Sequence, residues 1–478
     1  MNFELKIREE LGFEPTSNQS TLIHDLDRFL SDDDHRSLYV LKGYAGTGKT
    51  TISSALIKAL EKLKRKSVLL APTGRAAKVL AAYSQKEAMT IHRRIYFHQK
   101  VDGRMQFIRQ KNLYKNCLFI VDEASMIGES GGVGGSFVSQ QRSLLDDLIS
   151  YVFSGDNCRL LFVGDVAQLP PVGLSISPAL DPERLRMAFN LKVYQSELKQ
   201  VVRQAEESGI LANATVLRSF ATGEESEGLQ FKIDDFSDIH YINGAQLEEE
   251  VNSCYGEFGK ENTLIITRSN KRANAFNQQI RVRALWMEDK LNAGDLLMVV
   301  KNNYYWLGDK ENRFIANGDI VRVERVNFIE DKFGFRFADC EVILQDQEDL
   351  GEVNVKLLLN AIDSDGPSIS KKESSLLYQE VLNSYALVRS KAERHKKLKA
   401  DPYFNALQVK FSYAVTCHKS QGGQWDAVFV EQGFITDEMI DTEWYRWLYT
   451  AVTRARKKLY IVNFHPKFIE GDVDEYMF

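Results

Sequence analysis

The 478-residue chain is poor in several things, and each scarcity narrows what it can be. Its five cysteines, Cys117, Cys158, Cys254, Cys340 and Cys417, lie far apart and form no C-x-x-C pair. That spacing offers no metal-ligand pattern, and an odd, scattered set reads as reduced thiols in a cytoplasm. No apolar run reaches the roughly 18 residues that a membrane helix needs. The first residues, MNFELKIREE, are charged and lack the apolar stretch of a secretion signal, so none is expected. The formal net charge of −5 excludes a polycation. Any nucleic-acid surface must therefore be a local basic groove.

What is present suits a large α/β protein. The length exceeds what one hydrophobic core supports, so several domains are expected. Short apolar runs, SLYVL at 37–41, SVLLA at 67–71, CLFIV at 117–121 and RLLFV at 159–163, alternate with helical patterns. Near-continuous apolar strands of this kind predict a parallel sheet covered on both faces. A second set, TLIIT at 263–267, AVFVE at 427–431 and LYIVN at 459–463, predicts a second α/β domain. Between them, over 291–404, runs such as GDIVRVERV and VNVKLLL read as short antiparallel strands in a β insert. The basic segment 386–400 carries six Lys/Arg against one Glu and reads as a helical exit, more simply a solvated helix than a binding face. A hairpin is expected over 93–111, around VDGRM, and a mobile glycine-rich loop over 128–136.

The stretch LKGYAGTGKT, Leu41 to Thr50, fits G-x-x-x-x-G-K-S/T. A strand precedes it. An amphipathic helix follows, with Ile52, Ala55, Leu56, Ala59, Leu60 and Leu63 on one face. Backbone N–H groups of Gly43, Ala45, Gly46, Thr47 and Gly48 could then converge on phosphate oxygens at a helix N-terminus. Lys49 would bridge the outer phosphates of a nucleotide, the Thr50 hydroxyl would take Mg²⁺, and Thr51 completes the first turn. Asp122 and Glu123 end the strand LFIVDEASM; one would hold magnesium through water and the other would orient and deprotonate the attacking water. An acidic helix cap would explain one of these carboxylates more easily than two.

Further segments, in this order, resemble the motifs of superfamily 1B helicases of the RecD-like and phage Dda-like branch. They are APTGRAAKVL (71–80), TIHRRIY (90–96), VGDVAQLPPVG (163–173), LKQVVRQ (198–204), YAVTCHKSQGGQWDAVFV (413–430) and LYTAVTRARKKLYIV (448–462). The resemblance covers about 13–462, nearly the whole chain. It implies two RecA-like domains in tandem, the first over 1–92 and 112–190 and the second over 191–290 and 405–478. It implies a pin-like insert at 93–111 and an SH3-like insert at 291–404 that closes over a strand.

The resemblance also implies roles. Gln19 would read adenine, Gln168 would sense the γ-phosphate or its water, and Gly422 would border the nucleotide. Arg203 and Arg454 would be arginine fingers reaching across the cleft. Thr73, Arg75, Thr90, His92, Tyr96, Thr416, His418 and Lys419 would hold a strand, with Tyr304, Tyr305 and Trp306 as further stacking candidates. The implied activity is ATP- and Mg²⁺-dependent 5′→3′ movement on single-stranded DNA with opening of a duplex fork. The implied protein is a cytoplasmic monomer without a membrane, working beside repair, recombination or replication proteins. An RNA helicase and a nucleic-acid-stimulated ATPase that remodels bound proteins stay open as alternatives.

Overall fold

The computed structural model describes residues 2–34, 36–101, 104–128, 143–202, 208–226, 228–307, 314–345 and 347–470. The chain opens with two helices, Phe3–Leu11 and Ser17–Ser31, ahead of β1 (Ser37–Gly43). After the helix Lys49–Lys62 come β2 (Lys66–Ala71), the helix Gly74–Ser84 and β3 (Ala88–Thr90). An antiparallel ribbon of β4 (Tyr96–Val101) and β5 (Arg104–Arg109) projects next. The chain then returns through β6 (Cys117–Val121), β7 (Arg159–Gly164) and β8 (Lys192–Leu198). These strands, the ribbon apart, form one parallel sheet in the order β3-β2-β6-β7-β1-β8.

All residues of β6 and β7 are buried, as an apolar strand covered on both faces requires. Phe3, Leu22, Phe29, Ile52, Leu56 and Leu60 cover one face, and Ile91, Leu145, Leu148 and Ile149 the other.

A second parallel sheet has the order β16-β10-β17-β18-β9, from β9 (Ile239–Ile242), β10 (Thr263–Thr267), β16 (Ala414–Thr416), β17 (Trp425–Glu431) and β18 (Ala455–Val462). The helices Gly209–Thr222 and Thr442–Val452 pack together on one face through Leu217, Phe220, Trp444 and Leu448. The helices Leu247–Phe258 and Asn270–Gln279 cover the other with Val251, Cys254, Ala273 and Phe276.

Between β10 and β16 the chain builds a closed barrel. It runs through β11 (Leu296–Val299), β12 (Ile320–Lys332), β13 (Phe335–Leu344), β14 (Glu352–Leu358) and β15 (Leu407–Phe411). Two register shifts in β12, at Val323/Arg325 and Val326/Phe328, bend it as closure requires. The buried pair Arg281 and Asp295 fastens the barrel to the second sheet's helices, at 2.9 and 3.0 Å.

Three expected boundaries move. β8 lies past 190 yet pairs with β1 along its whole length, so it belongs to the first sheet. β15 lies past 404 yet closes the barrel against β11 and β14. Residues 93–95 finish the helix Ile91–Ile95 before the ribbon starts. The basic segment is no simple exit. It forms the helix Lys391–Lys399, whose Leu398 packs with Leu377 and Val381 of the helix Lys371–Ser384 onto the barrel. The loop expected over 128–136 lies, past Gly128, outside the described residues, as do 102–103 and Arg203.

Candidate active site

The strand order decides what meets. β6, β7 and β1 are neighbours and parallel, so the turns after them share one edge of the sheet. Those turns carry Asp122–Glu123, Asp165 and the glycine turn 43–50. The carboxyl ends of parallel strands are where α/β proteins place ligand chemistry.

The glycine turn is shaped for close backbone approach. Gly46 and Gly48 have φ of 73° and 87°. A Cβ on Gly43 would lie 2.8 Å from Lys49 Cγ. Gly48 caps the helix Lys49–Lys62 with no side-chain cap, leaving its first N–H groups for a ligand. Lys49 Nζ donates to Tyr44 O at 2.7 Å and lies 3.7 Å from Asp165 Oδ2. Buried Thr47 donates its hydroxyl to the same Tyr44 O, while Thr50 and Thr51 are exposed. Tyr44 O, which also accepts from Thr47 N–H at 3.4 Å, is engaged three times and fixes the cradle's inner edge.

The acid pair sits beside it. Asp122 Oδ2 accepts from the Tyr83 hydroxyl at 2.5 Å and Oδ1 from the Glu123 N–H at 2.9 Å. Glu123 adopts φ 51°, ψ 38°, a left-handed conformation that costs a non-glycine residue free energy and that clusters at functional sites. Burial pushes the Glu123 carboxyl above its ordinary pKa; the charges of Arg454 and Lys49 oppose the shift, and those of Asp122 and Asp165 add to it. Raised pKa values are how a carboxylate becomes a useful base. In the turn after β7, Gln168 is 7% exposed and its Oε1 is buried without a partner. A buried unpaired acceptor suits the hydrogen of an oriented water.

Arg454 enters from the second sheet and is 3% exposed. Nε donates to Thr450 O at 3.0 Å, Nη1 to Gly423 O at 3.2 Å and Nη2 to Thr453 Oγ1 at 3.2 Å. Val202, just before the segment that holds Arg203, donates its N–H to Gly46 O at 3.1 Å.

Four candidates engage protein partners in this structure. Gln19 is 1% exposed; its Nε2 donates to Thr47 O at 3.2 Å and its Oε1 accepts from Thr16 N–H at 3.1 Å. It props the glycine turn and closes a capping box, so both ends of its amide have protein partners in this structure. Gly422 touches the helix after β2: an added Cβ would meet Ala76 Cβ at 2.9 Å and Thr73 Oγ1 at 3.1 Å. Arg75 stacks on Trp425 across the domains. Tyr96 donates its hydroxyl to Asp147 at 2.8 Å, which anchors the ribbon's root.

The other strand-holding candidates stand in three places. Thr73 and Thr90 accept from Ala76 N–H and Arg93 N–H as helix caps, both at 3.2 Å. His92 lies beside Tyr96 with Nε2 buried and unpartnered, and burial lowers its pKa to about 4. Thr416, Lys419, Asn270, Asn274 and Lys410 line one small cavity at the ends of β10 and β16, with His418 exposed beside it. Burial, then the charge of Lys410, brings the pKa of Lys419 down to about 8. In the barrel, Trp306 donates to Asn405 O and Tyr305 to Ala400 O, at 2.8 and 3.1 Å, and Tyr304 packs on Phe314.

Comparison with known proteins fits this geometry. An AAA domain profile matches residues 30–174 and a UvrD-like helicase C-terminal domain profile matches 411–462. These are the nucleotide cradle and the segment bearing Gly422 and Arg454. The ATP-dependent DNA helicase dda of Enterobacteria phage T4 is 23% identical over 88% of this chain and 93% of its own length. The chain is thus similar, over nearly its whole length, to a DNA helicase of the Dda type. The RecD2 DNA helicase of Deinococcus radiodurans is 34% identical over 36% of this chain, a match that spans 21% of that relative. An uncharacterised protein of Acanthamoeba polyphaga mimivirus is 24% identical over 93% of this chain and 98% of its own.

Within the site, motif matching missed Tyr449, Thr450 and Gln421. They touch the cradle's edge and the turn after β7 from the opposite domain. Their partners are remote in sequence, so neither periodicity nor spacing marks them. Among the described residues no helix is long and apolar enough to cross a membrane.

Proposed function

We propose that this chain is an ATP-dependent DNA helicase that moves 5′→3′ on a single strand, with Mg²⁺ as its metal. One observation carries the reading. A phosphate cradle, a strained and half-buried glutamate, an unpaired glutamine acceptor and a buried arginine from the opposite domain converge on one cleft. Such a cleft can hold, hydrolyse and sense a nucleoside triphosphate. Its two walls belong to different domains, so hydrolysis can change how they pack.

Lys49 and the turn amides would cradle the phosphates. Glu123 would take the proton of the attacking water, and Gln168 would orient it. Arg454, and Arg203 with it, would stabilise charge developing on the transferring phosphoryl oxygens. Magnesium fits the donor set, since it prefers a few hard oxygens and retains waters; Thr50 and Asp122 supply a hydroxyl and a carboxylate. When bound it would neutralise phosphate charge. Thr416, His418 and Lys419, at the ends of the second sheet's strands, are the best-placed groups to hold a backbone phosphate, with Thr73, Thr90 and His92 on the first domain. The protein acts as a monomer in this reading.

Strand displacement on duplexes bearing a 5′ or a 3′ single-stranded tail, with ATP and magnesium, tests it. Displacement from the 5′ tail alone supports the reading. Displacement from the 3′ tail alone overturns the polarity. DNA-stimulated turnover with displacement from neither tail replaces it with a protein remodeller, and stimulation by RNA but not DNA replaces it with an RNA helicase.

A further inference from the structure

The helix Thr442–Val452 carries Tyr449, which is 1% exposed. Its hydroxyl accepts from the Ala45 N–H of the glycine turn at 2.8 Å and donates to Asp165 Oδ2 at 2.8 Å. A phenol has one proton and accepts on the other side, so one orientation serves both bonds. Asp165 is 2% exposed, and the same Oδ2 lies 3.7 Å from Lys49 Nζ. Its other oxygen accepts from Ala167 N–H at 3.0 Å. A continuous chain therefore runs from the cradle backbone through a tyrosine of the opposite domain to Asp165, and from there to the cradle lysine.

The neighbouring residues extend it. Thr450 Oγ1 accepts from Leu169 N–H at 2.8 Å, and Gln421 Nε2 donates to Leu169 O at 2.7 Å. Gln168 is thus held on both sides from the second domain, at 165–167 through Tyr449 and at 169 through Thr450 and Gln421. Thr450 O also receives Arg454 Nε at 3.0 Å. The turn of helix that grips Gln168 is the turn that hangs the arginine.

We propose that Tyr449 is a positioning residue that transmits the state of Lys49, through Asp165, to Gln168 and Arg454. Lys49 and Tyr449 compete for one carboxylate oxygen. When the ammonium moves, the charge on that oxygen and the strength of its bond to the phenol change together. The phenol is linked rigidly to the helix that sets the finger. Burial and the Asp165 charge hold the Tyr449 hydroxyl protonated, so it remains a donor. The proposal rests on the ATPase reading above.

The test compares wild type, Tyr449→Phe, Asp165→Asn and the double variant. The readouts are ATP turnover with and without single-stranded DNA, KM for ATP, and thermal melting. Phenylalanine keeps the buried ring and removes only the hydroxyl. The expected result is a DNA-stimulated kcat lower by about tenfold in Tyr449→Phe, with KM for ATP moved by less than about threefold and an unshifted melting curve. The double variant should be no worse than the poorer single one, because both break the same chain. Thr450→Val, which removes the acceptor of Leu169 N–H while keeping the shape, should show the same kcat-only loss. This keeps the idea testable should Tyr449→Phe fold poorly. Normal DNA-stimulated kcat in a folded Tyr449→Phe or Thr450→Val protein, or additive losses in the double variant, would overturn the proposal. Absence of ATPase in the wild type would instead overturn the reading on which it rests.

Discussion

The guanidinium of Arg75 lies 3.9 Å from the centre of the Trp425 ring, across the boundary between the two α/β domains. The same side chain donates to Gln424 O at 3.3 Å. The chain just before these contacts passes so close that a Cβ on Gly423 would fall 2.8 Å from Arg75 Cδ and 2.5 Å from Trp425 Cη2. This is a stacked clamp between the first and second domains, built where motif matching placed a phosphate contact.

A clamp and a phosphate contact behave differently when removed. Cation–π stacking contributes about 0.5–2 kcal/mol depending on desolvation. Arg75→Ala should therefore raise KM for ATP, in the absence of DNA, by a factor of about 2–30, the range that free energy spans. Arg75→Lys should restore little, because an ammonium cannot stack as a plane. Steady-state ATPase without DNA is the measurement. An unchanged KM, together with a salt slope of strand binding reduced by about 0.7, would return Arg75 to phosphate binding.

Glu123 gives a pH prediction. Burial raises its pKa above the ordinary 4.5, so the base form is lost as pH falls through a value higher than 4.5. The acid limb of kcat/KM should lie above that value. Arg454 is the largest influence opposing the rise, so Arg454→Ala should move the limb further up. As an arginine finger its loss should also cut turnover by about 10³-fold or more while nucleotide binding persists. Lys49→Ala, the reference, should abolish turnover. A limb that stays put in Arg454→Ala would separate the two residues.

Lys419 gives a second one. With its pKa near 8, the side chain is charged below that pH and loses its proton as pH rises through it. Affinity for single-stranded DNA, measured by fluorescence anisotropy, should weaken between about pH 7 and 9, with a shallower salt slope at the alkaline end. Lys419→Arg, always charged, should bind with little change over the same window. A flat wild-type profile would remove Lys419 from the strand path.

The barrel's attachment is also testable. Arg281 and Asp295 are 2% and 0% exposed, and Asp295 further accepts from Tyr413 Oη at 3.1 Å and Asn292 N–H at 2.8 Å. Breaking a buried pair by removing one partner costs about 3–5 kcal/mol. Arg281→Ala should lower hydrogen-exchange protection of β11 and β12 amides by that amount, with the first sheet unaffected. Protection that falls equally in both sheets would mean the barrel is not a separately anchored unit.

Much of this protein is determined by its sequence alone, because the signals involved are local. The glycines of 43–48, the apolar strand before them and the amphipathic helix after them select one another within twenty-odd residues of chain. The carboxylates of 122–123 end an apolar strand in the same local way. Tertiary structure alone decided the remainder. Strand order set β6, β7 and β1 side by side, and pairing drew β8 and β15 across the expected domain boundaries. It turned the Gln19 amide toward Thr47, laid Arg75 on Trp425, and brought Tyr449 to Ala45 and Asp165, 404 and 284 positions away in the chain. A hydroxyl or a guanidinium carries no local mark of its partner. That choice belongs to the packing of two domains against each other, which leaves buried polar groups no other way to be satisfied.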